Sequence, residues 1–209
     1  ATAQTSGGPD GFGYVWRNNS DPNGPTYQWI DISTRPGVVT VQGLQDDNIR
    51  GPFSLSIPFT YYWYSPNKFW IGSNGYIGFT NGTAAHPFPT IPALPTPNDW
   101  MAIMASDLTF TDVNTDTIPG VHCQFWQGSD SLIVTWENVP FWDDPSVTGV
   151  GYSGTNTFQV ILSAADSSIT YQYKAQVGTY NPNPINFMEV GIENNSGGIG
   201  LEVAHDTYP

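Results

Sequence analysis

The sequence predicts an all-β protein: an antiparallel β-sandwich with long loops and at most one short helix. Three observations predict it. Apolar residues alternate with polar ones through Phe53 to Phe79 around a Ser73-Asn74-Gly75 turn, and period two is the mark of a half-buried strand. Glycine and proline, 22 and 18 of the 209 residues, interrupt the chain too often for long helices. At least nine short apolar segments alternate with turn clusters, as in a sandwich.

The elements follow in order. Residues 1 to 9 are small and polar and read as a flexible arm. Phe12, Tyr14 and Trp16 alternate with Gly13 and Val15, predicting a strand; Tyr27, Trp29 and Ile30 predict a second. Asn18 to Pro25 is the turn cluster between them. Val38 to Leu44 is a short strand, and Asp46-Asp47-Asn48 a loop. The Asn74-Gly75 pair supplies the positive φ angles of a type I′ hairpin turn. Ala85 to Asp99 carries five prolines, so it is an extended surface connection rather than a central strand. Trp100 to Asp107 reads as a short helix or a fully buried strand, and Asp107 to Pro119 as a polar loop. Strands are then predicted at Val121–Trp126, Leu132–Trp136, Thr157–Leu162, Ile169–Tyr173, Met188–Ile192 and Leu201–Val203. Gly128-Ser129-Asp130 and Ala165 to Ser168 are the hairpin turns.

The 8 Trp, 11 Tyr and 11 Phe supply a core, since each buried ring removes roughly 150–250 Å² from water. Charge is sparse and one-sided: 5 Lys plus Arg against 18 Asp plus Glu, a net charge of −13. Nucleic acid is excluded as a partner because phosphate binding needs clustered cations. An anionic membrane surface is disfavoured for the same reason. A divalent cation would relieve the repulsion; solubility alone also accounts for the acidity. Cys123 is the only cysteine, which leaves no intrachain disulfide and predicts a buried, inert thiol. No apolar run approaches the ~18 residues of a membrane span. The small, polar start reads as a mature terminus after signal cleavage, or as a linker.

Several blocks then stand in a specific order. Ile57-Pro58-Phe59-Thr60-Tyr61 is followed by Ile71 to Phe79, Pro87-Phe88-Pro89 and Ala102 to Leu108. Next come Leu132 to Pro140 with Trp136-Glu137, Asn156-Thr157-Phe158-Gln159, Ile169 to Tyr173, and Val190-Gly191-Ile192. In this order they resemble the nidogen-like (NIDO) extracellular domain, over roughly Phe53 to Leu201. Residues 8 to 53 resemble a lead found before such modules in large bacterial secreted and cell-surface proteins. The resemblance implies an extracellular, non-catalytic module of adhesion or matrix structure. It divides the chain into an arm and lead strands over 1–52, packing on a sandwich over 53–209, in one compact domain.

Candidate sites lie in the acidic loops. Asp46, Asp47 and Asn48 offer adjacent oxygens for Ca²⁺, which takes 6–8 such ligands; Asp10, Asp21 or Asp31 would complete the shell if the lead folds back. The alternative is an Asx-turn, in which these side chains bond their own backbone. Asp112, Asn114 and Asp116 match the first three positions of an EF-hand loop. Thr117 then replaces its glycine and Cys123 its closing glutamate, so a simpler calcium loop, with Asp107, is the expectation. Asp143-Asp144 is a third acidic pair.

Nothing in the chain spells out an enzyme. His86, His122 and His205 sit in no motif, and Glu137 and Asp143 are the nearest pair of carboxylates for glycoside hydrolysis. Tyr61 to Tyr64, Phe69 and Trp70 offer a carbohydrate-binding alternative, in which exposed rings stack on glycans. Strand alternation sends half of them to the core. Sheet edges can also accept a neighbour's strand, with Ala1–Gly8 or the tail after Leu201 as donor. Asn18, Asn81 and Asn194 open Asn-x-Ser/Thr sequons, glycan sites only in a secreted protein of non-bacterial origin. The expectation is a structural or adhesion module of a microbial surface or secreted protein. It is extracellular, stabilised by calcium, and polymerises with other copies of itself or binds other extracellular proteins.

Overall fold

The computed structural model describes residues 4–85, 87–94, 97–178 and 188–207. Among them the apolar runs become thirteen strands and one short helix. They begin with β1 (Ser6–Gly7), β2 (Trp16–Arg17), β3 (Val39–Thr40), β4 (Ile49–Ser54), β5 (Lys68–Gly72) and β6 (Tyr76–Gly78). Then come β7 (Trp100–Ser106), β8 (His122–Gln127), β9 (Ser131–Trp142) and α1 (Pro145–Thr148). The last are β10 (Tyr152–Ser163), β11 (Ile169–Val177), β12 (Met188–Glu193) and β13 (Gly200–His205). One sheet has the order β11-β10-β9-β8-β3 and the other β13-β12-β7-β6-β5-β4; β1 and β2 form a separate ribbon. Every strand pair is antiparallel. This is the predicted sandwich.

Register explains the core. Phe158 pairs with Trp136, Val160 with Val134 and Leu162 with Leu132. Partners directly opposite share a face, so all six point into one interior and all are buried. The Trp136 and Phe158 rings stack at 5.2 Å. Across the sandwich, Trp136 Nε1 donates to the Gly72 carbonyl at 3.1 Å, and Phe125 meets Phe53 and Phe69 at 4.9 and 5.4 Å.

Trp100–Ser106 is a strand, not a helix, and every residue of it is buried. Its inner face gives Met101 and Ile103 to the main core. Its outer face gives Trp100, Ala102 and Ala105 to a second cluster with Tyr76, Ala84, Phe88 and Ile91. Burial on both faces is why this segment reads as an unbroken apolar run. Among its described residues the proline-rich connection forms no strand, as predicted, but it is more than a surface link. It lays Phe88 and Ile91 over the outer face of the six-stranded sheet.

Three local readings are corrected. The Ser73-Asn74-Gly75 turn is not type I′. Gly72 pairs with Tyr76, which leaves a three-residue loop, and of the three only Gly75 has a positive φ, 75°. That fits a type I turn closed by a left-handed glycine. A Cβ there would fall 2.3 Å from the Met104 carbonyl oxygen. Second, Tyr27, Trp29 and Ile30 form no strand; the Gln159 amide accepts from Ile30 N–H and donates to its carbonyl at 3.3 and 3.1 Å. A side chain there replaces a ladder. Third, Phe12 and Tyr14 are not in strand; their rings pack edgewise on Tyr62.

The lead supplies strands to both sheets. β3 pairs with β8 and β4 with β5, and β4 runs through residues 52 and 53.

Candidate functional site

The hairpin loop between β5 and β6 organises one end of the sandwich. Asn74 is fully buried and ties three segments together. Its amide donates to Asp47 Oδ1 at 2.7 Å and to the Ala84 carbonyl at 3.2 Å. Its Oδ1 accepts from Leu108 N–H at 2.9 Å. Ser73 Oγ donates to the Asp46 carbonyl at 2.8 Å and accepts from Asn48 N–H at 3.0 Å. The acidic loop 46–48 and the end of β7 are thus held on the same hairpin.

This brings carboxylate oxygens of Asp46, Asp47 and Asp107 within 4.8 Å of one another. Asp46 Oδ1 is shielded from solvent without a hydrogen-bond partner. Burial, and then the neighbouring Asp47 charge, push the Asp46 carboxyl above its ordinary value. An all-oxygen donor set with an orphaned carboxylate oxygen fits a hard cation such as Ca²⁺. Beside it, a cavity of about 240 Å³ is lined by Asp46, Thr109, Asp112 and Trp142, among others.

The other expected ligands are placed differently. Asn48 does not point at a cation: its Oδ1 accepts from Gln45 N–H and its amide donates to the Gly43 carbonyl, both at 3.0 Å. Asp112 Oδ1 accepts from Asn114 and Asp116 N–H at 2.8 and 3.0 Å, which closes an Asx-turn on its own backbone. Asn114 and Asp116 are exposed, and Asp116 joins no cluster of His, Cys, Asp or Glu among the described residues. Asp10 Oδ1 closes its own turn on Phe12, Gly13 and Tyr14 N–H at 2.8–2.9 Å. It cannot complete the Asp46 shell. The adjoining Tyr14 packs on Tyr61, whose hydroxyl meets the Trp100 carbonyl, whereas Asn74 meets Ser106 and Leu108. These are opposite ends of β7, roughly 20 Å apart. Asp144 is the N-cap of α1, accepting from Ser146 N–H at 2.8 Å.

Glu137 lies within β9 and Asp143 follows its last residue. Six residues along one strand separate them, at most roughly 20 Å and shortened at Asn138, whose φ is 58°; the two carboxylates do not face each other across a cleft as a glycosidase pair does. Of the aromatic cluster, Tyr61, Tyr62 and Phe69 are buried, while Trp63 is 64% exposed. Trp63 meets Phe12 at 89°, so the two exposed rings make no common plane. Asn194 is buried and its Oδ1 accepts from Ser196 Oγ and Ile199 N–H, which closes that sequon to a glycan.

A family model described as NIDO related matches residues 20–207. The chain belongs to the NIDO-related family. The match takes in most of the lead as well as the sandwich, in keeping with the strands that the lead gives to both sheets. No curated protein and no solved structure matches.

Among the described residues the NIDO-related sandwich has four sheet edges. β3 is two residues long, and β4 carries Pro52 and a register shift between Arg50 and Phe53. Short strands, proline and bulges all blunt an edge. β13 carries Glu202 and His205. β11 is nine residues long with one charge, Lys174, and with Val177 55% exposed. Among the described residues no strand pairs on its outer side. Of the expected donors, Ser6 and Gly7 pair with Arg17 and Trp16, and Leu201 to His205 pair with β12. Ala1 to Ala3, His86, Tyr208 and Pro209 lie outside the described residues.

One cluster escapes the sequence reading: Glu189, Glu202 and His205. Glu189 is completely buried. Burial, and then the Glu202 and Asp206 charges, push its carboxyl up to about 10. The only signal in the sequence is the Glu202-x-x-His205 spacing, and residues three apart on a regular strand point to opposite faces.

Proposed function

We propose that this chain is a non-catalytic extracellular module with a structural or adhesive role in a microbial surface or secreted protein. It associates with copies of itself by strand addition at β11, and calcium at Asp46, Asp47 and Asp107 stabilises it. The observation that carries this reading is the edge of β11, which no strand covers among the described residues and which stands beside edges that are short, kinked or charged. An unpaired row of backbone N–H and C=O groups is a template for another strand. Family membership supports the extracellular setting. The separation of Glu137 from Asp143 supports a non-catalytic role.

The two parts are tested separately. Sedimentation velocity of the purified chain is expected to give a dimer whose share grows with concentration. Val177→Lys, which puts a charge on the outer edge, is expected to return it to monomer with an unchanged melting temperature. Assembly unaffected by Val177→Lys contradicts the β11 reading. For calcium, millimolar Ca²⁺ is expected to raise the melting temperature, because a ligand of the native state stabilises by RT ln(1 + [L]/Kd). Asp46→Ala plus Asp47→Ala is expected to abolish the rise; no rise in the native chain sinks the calcium claim.

A further inference from the structure

We propose that Glu189, Glu202 and His205 form a second metal site, for a divalent transition cation such as Zn²⁺, on the outer face of the β12–β13 edge. Register builds it. Glu189 pairs with His205 and with Ala105, and Gly191 pairs with Glu202 and Ala102. Ala102 and Ala105 belong to the outer cluster, so all three side chains share that face. The register shifts between Val190 and Gly191, which leaves Val203 as the extra residue of β13. That bulge turns Glu202 and His205 to one side, although their spacing is odd.

The donor set is poised. One ligand atom from each residue lies within 4.8 Å of the others. His205 Nδ1 stands 2.6 Å from Glu189 Oε2. Glu189 Oε1, on a side chain with no exposed surface, has no hydrogen-bond partner. A buried, unpaired carboxylate oxygen is costly unless something takes its lone pairs. The surroundings hold the ligands in place. Asp206 Oδ2 lies 3.4 Å from His205 Nε2, the carboxylate-to-imidazole support that fixes the tautomer of a ligating histidine. Ile91 N–H donates to Glu202 Oε2 at 3.2 Å, which orients that carboxylate. One imidazole and two carboxylates suit zinc and its neighbours. Calcium prefers oxygen alone, so the two clusters differ in chemistry.

The test is calorimetric titration of the whole chain, stripped with EDTA, with ZnCl₂, and a parallel Co²⁺ titration followed by visible absorption. The expected result is one Zn²⁺ bound per chain, insensitive to millimolar Ca²⁺, with Co²⁺ giving the visible bands of a low-coordinate site. His205→Ala and Glu202→Gln are each expected to weaken Zn²⁺ at least about tenfold, the least that disturbing a metal's surroundings costs. His122→Ala is expected to change nothing. Glu202 is exposed, so Glu202→Gln decides the matter if His205→Ala does not fold. No uptake by the native chain, uptake that survives Glu202→Gln, or loss with His122→Ala would overturn the proposal.

Discussion

Asn74 is the side chain on which most of the acidic end depends. Replacing it with alanine leaves Leu108 N–H, the Ala84 carbonyl and Asp47 without their partner. Each buried orphan costs about 1–3 kcal/mol, so Asn74→Ala is expected to lose about 2–4 kcal/mol in urea unfolding. Glu193 sets a pH dependence. It is 1% exposed, its Oε2 accepts from Ala93 N–H, and burial pushes its carboxyl up to about 7 from an ordinary 4.5. The folded state therefore binds the proton more tightly than the unfolded chain. The resulting stability is full below about pH 4.5 and is lost as pH rises through about 7. The melting temperature is expected to fall between about pH 5 and pH 8, with the buried Glu189 carboxyl, also raised, adding to the same fall; Glu193→Gln, which keeps the acceptor without the charge, is expected to make it shallower. A flat native profile would contradict this assignment. At this scale the sequence marked Asp46 and Asp47, because adjacent acids in a turn are visible in one dimension. The sequence groups Asp107 with Asp112, whereas the fold sets it beside Asp46 and Asp47, and it gives no sign of Glu189, because only strand pairing brings these residues to their neighbours.

Among the elements, the central strands were legible and the edges were not. Leu132, Val134 and Trp136 alternate in the chain as they do in the core, so period two was sufficient for β9. Trp100 to Ser106 left helix and strand open, since burial on both faces erases the alternation that would tell them apart. The Tyr27–Ile30 strand failed because Gln159, 129 residues away, satisfies that backbone instead of a neighbouring strand. The bulge at Val203 was invisible for the same reason: it is a property of pairing, not of β13 alone. The edge at β11 makes its own prediction. Ala175, exposed on that strand, is expected to tolerate lysine with less than about 0.5 kcal/mol lost, as surface changes do, while assembly weakens as it does for Val177→Lys. A large loss of stability would mean that Ala175 is packed rather than free at an edge.

For the whole molecule, the sheets cross the expected boundary at residue 52. β3 closes one sheet and β4 the other, so strands of the lead are built into both sheets. Removal of residues 1–52 is expected to abolish cooperative unfolding by calorimetry; a truncated chain with a sharp transition would contradict the single sandwich. The acidity read from composition takes on a location here, with one acidic cluster at the Asn74 end and another at the β12–β13 edge. Self-association depends on the edge of β11 that no described strand covers. Electron micrographs of the native particle test it most directly. Pairs of the module joined edge to edge at β11 are expected, because a single open edge that pairs with itself closes into a two-fold dimer, and Val177→Lys is expected to disperse them. Isolated single copies at every concentration would contradict self-association at β11.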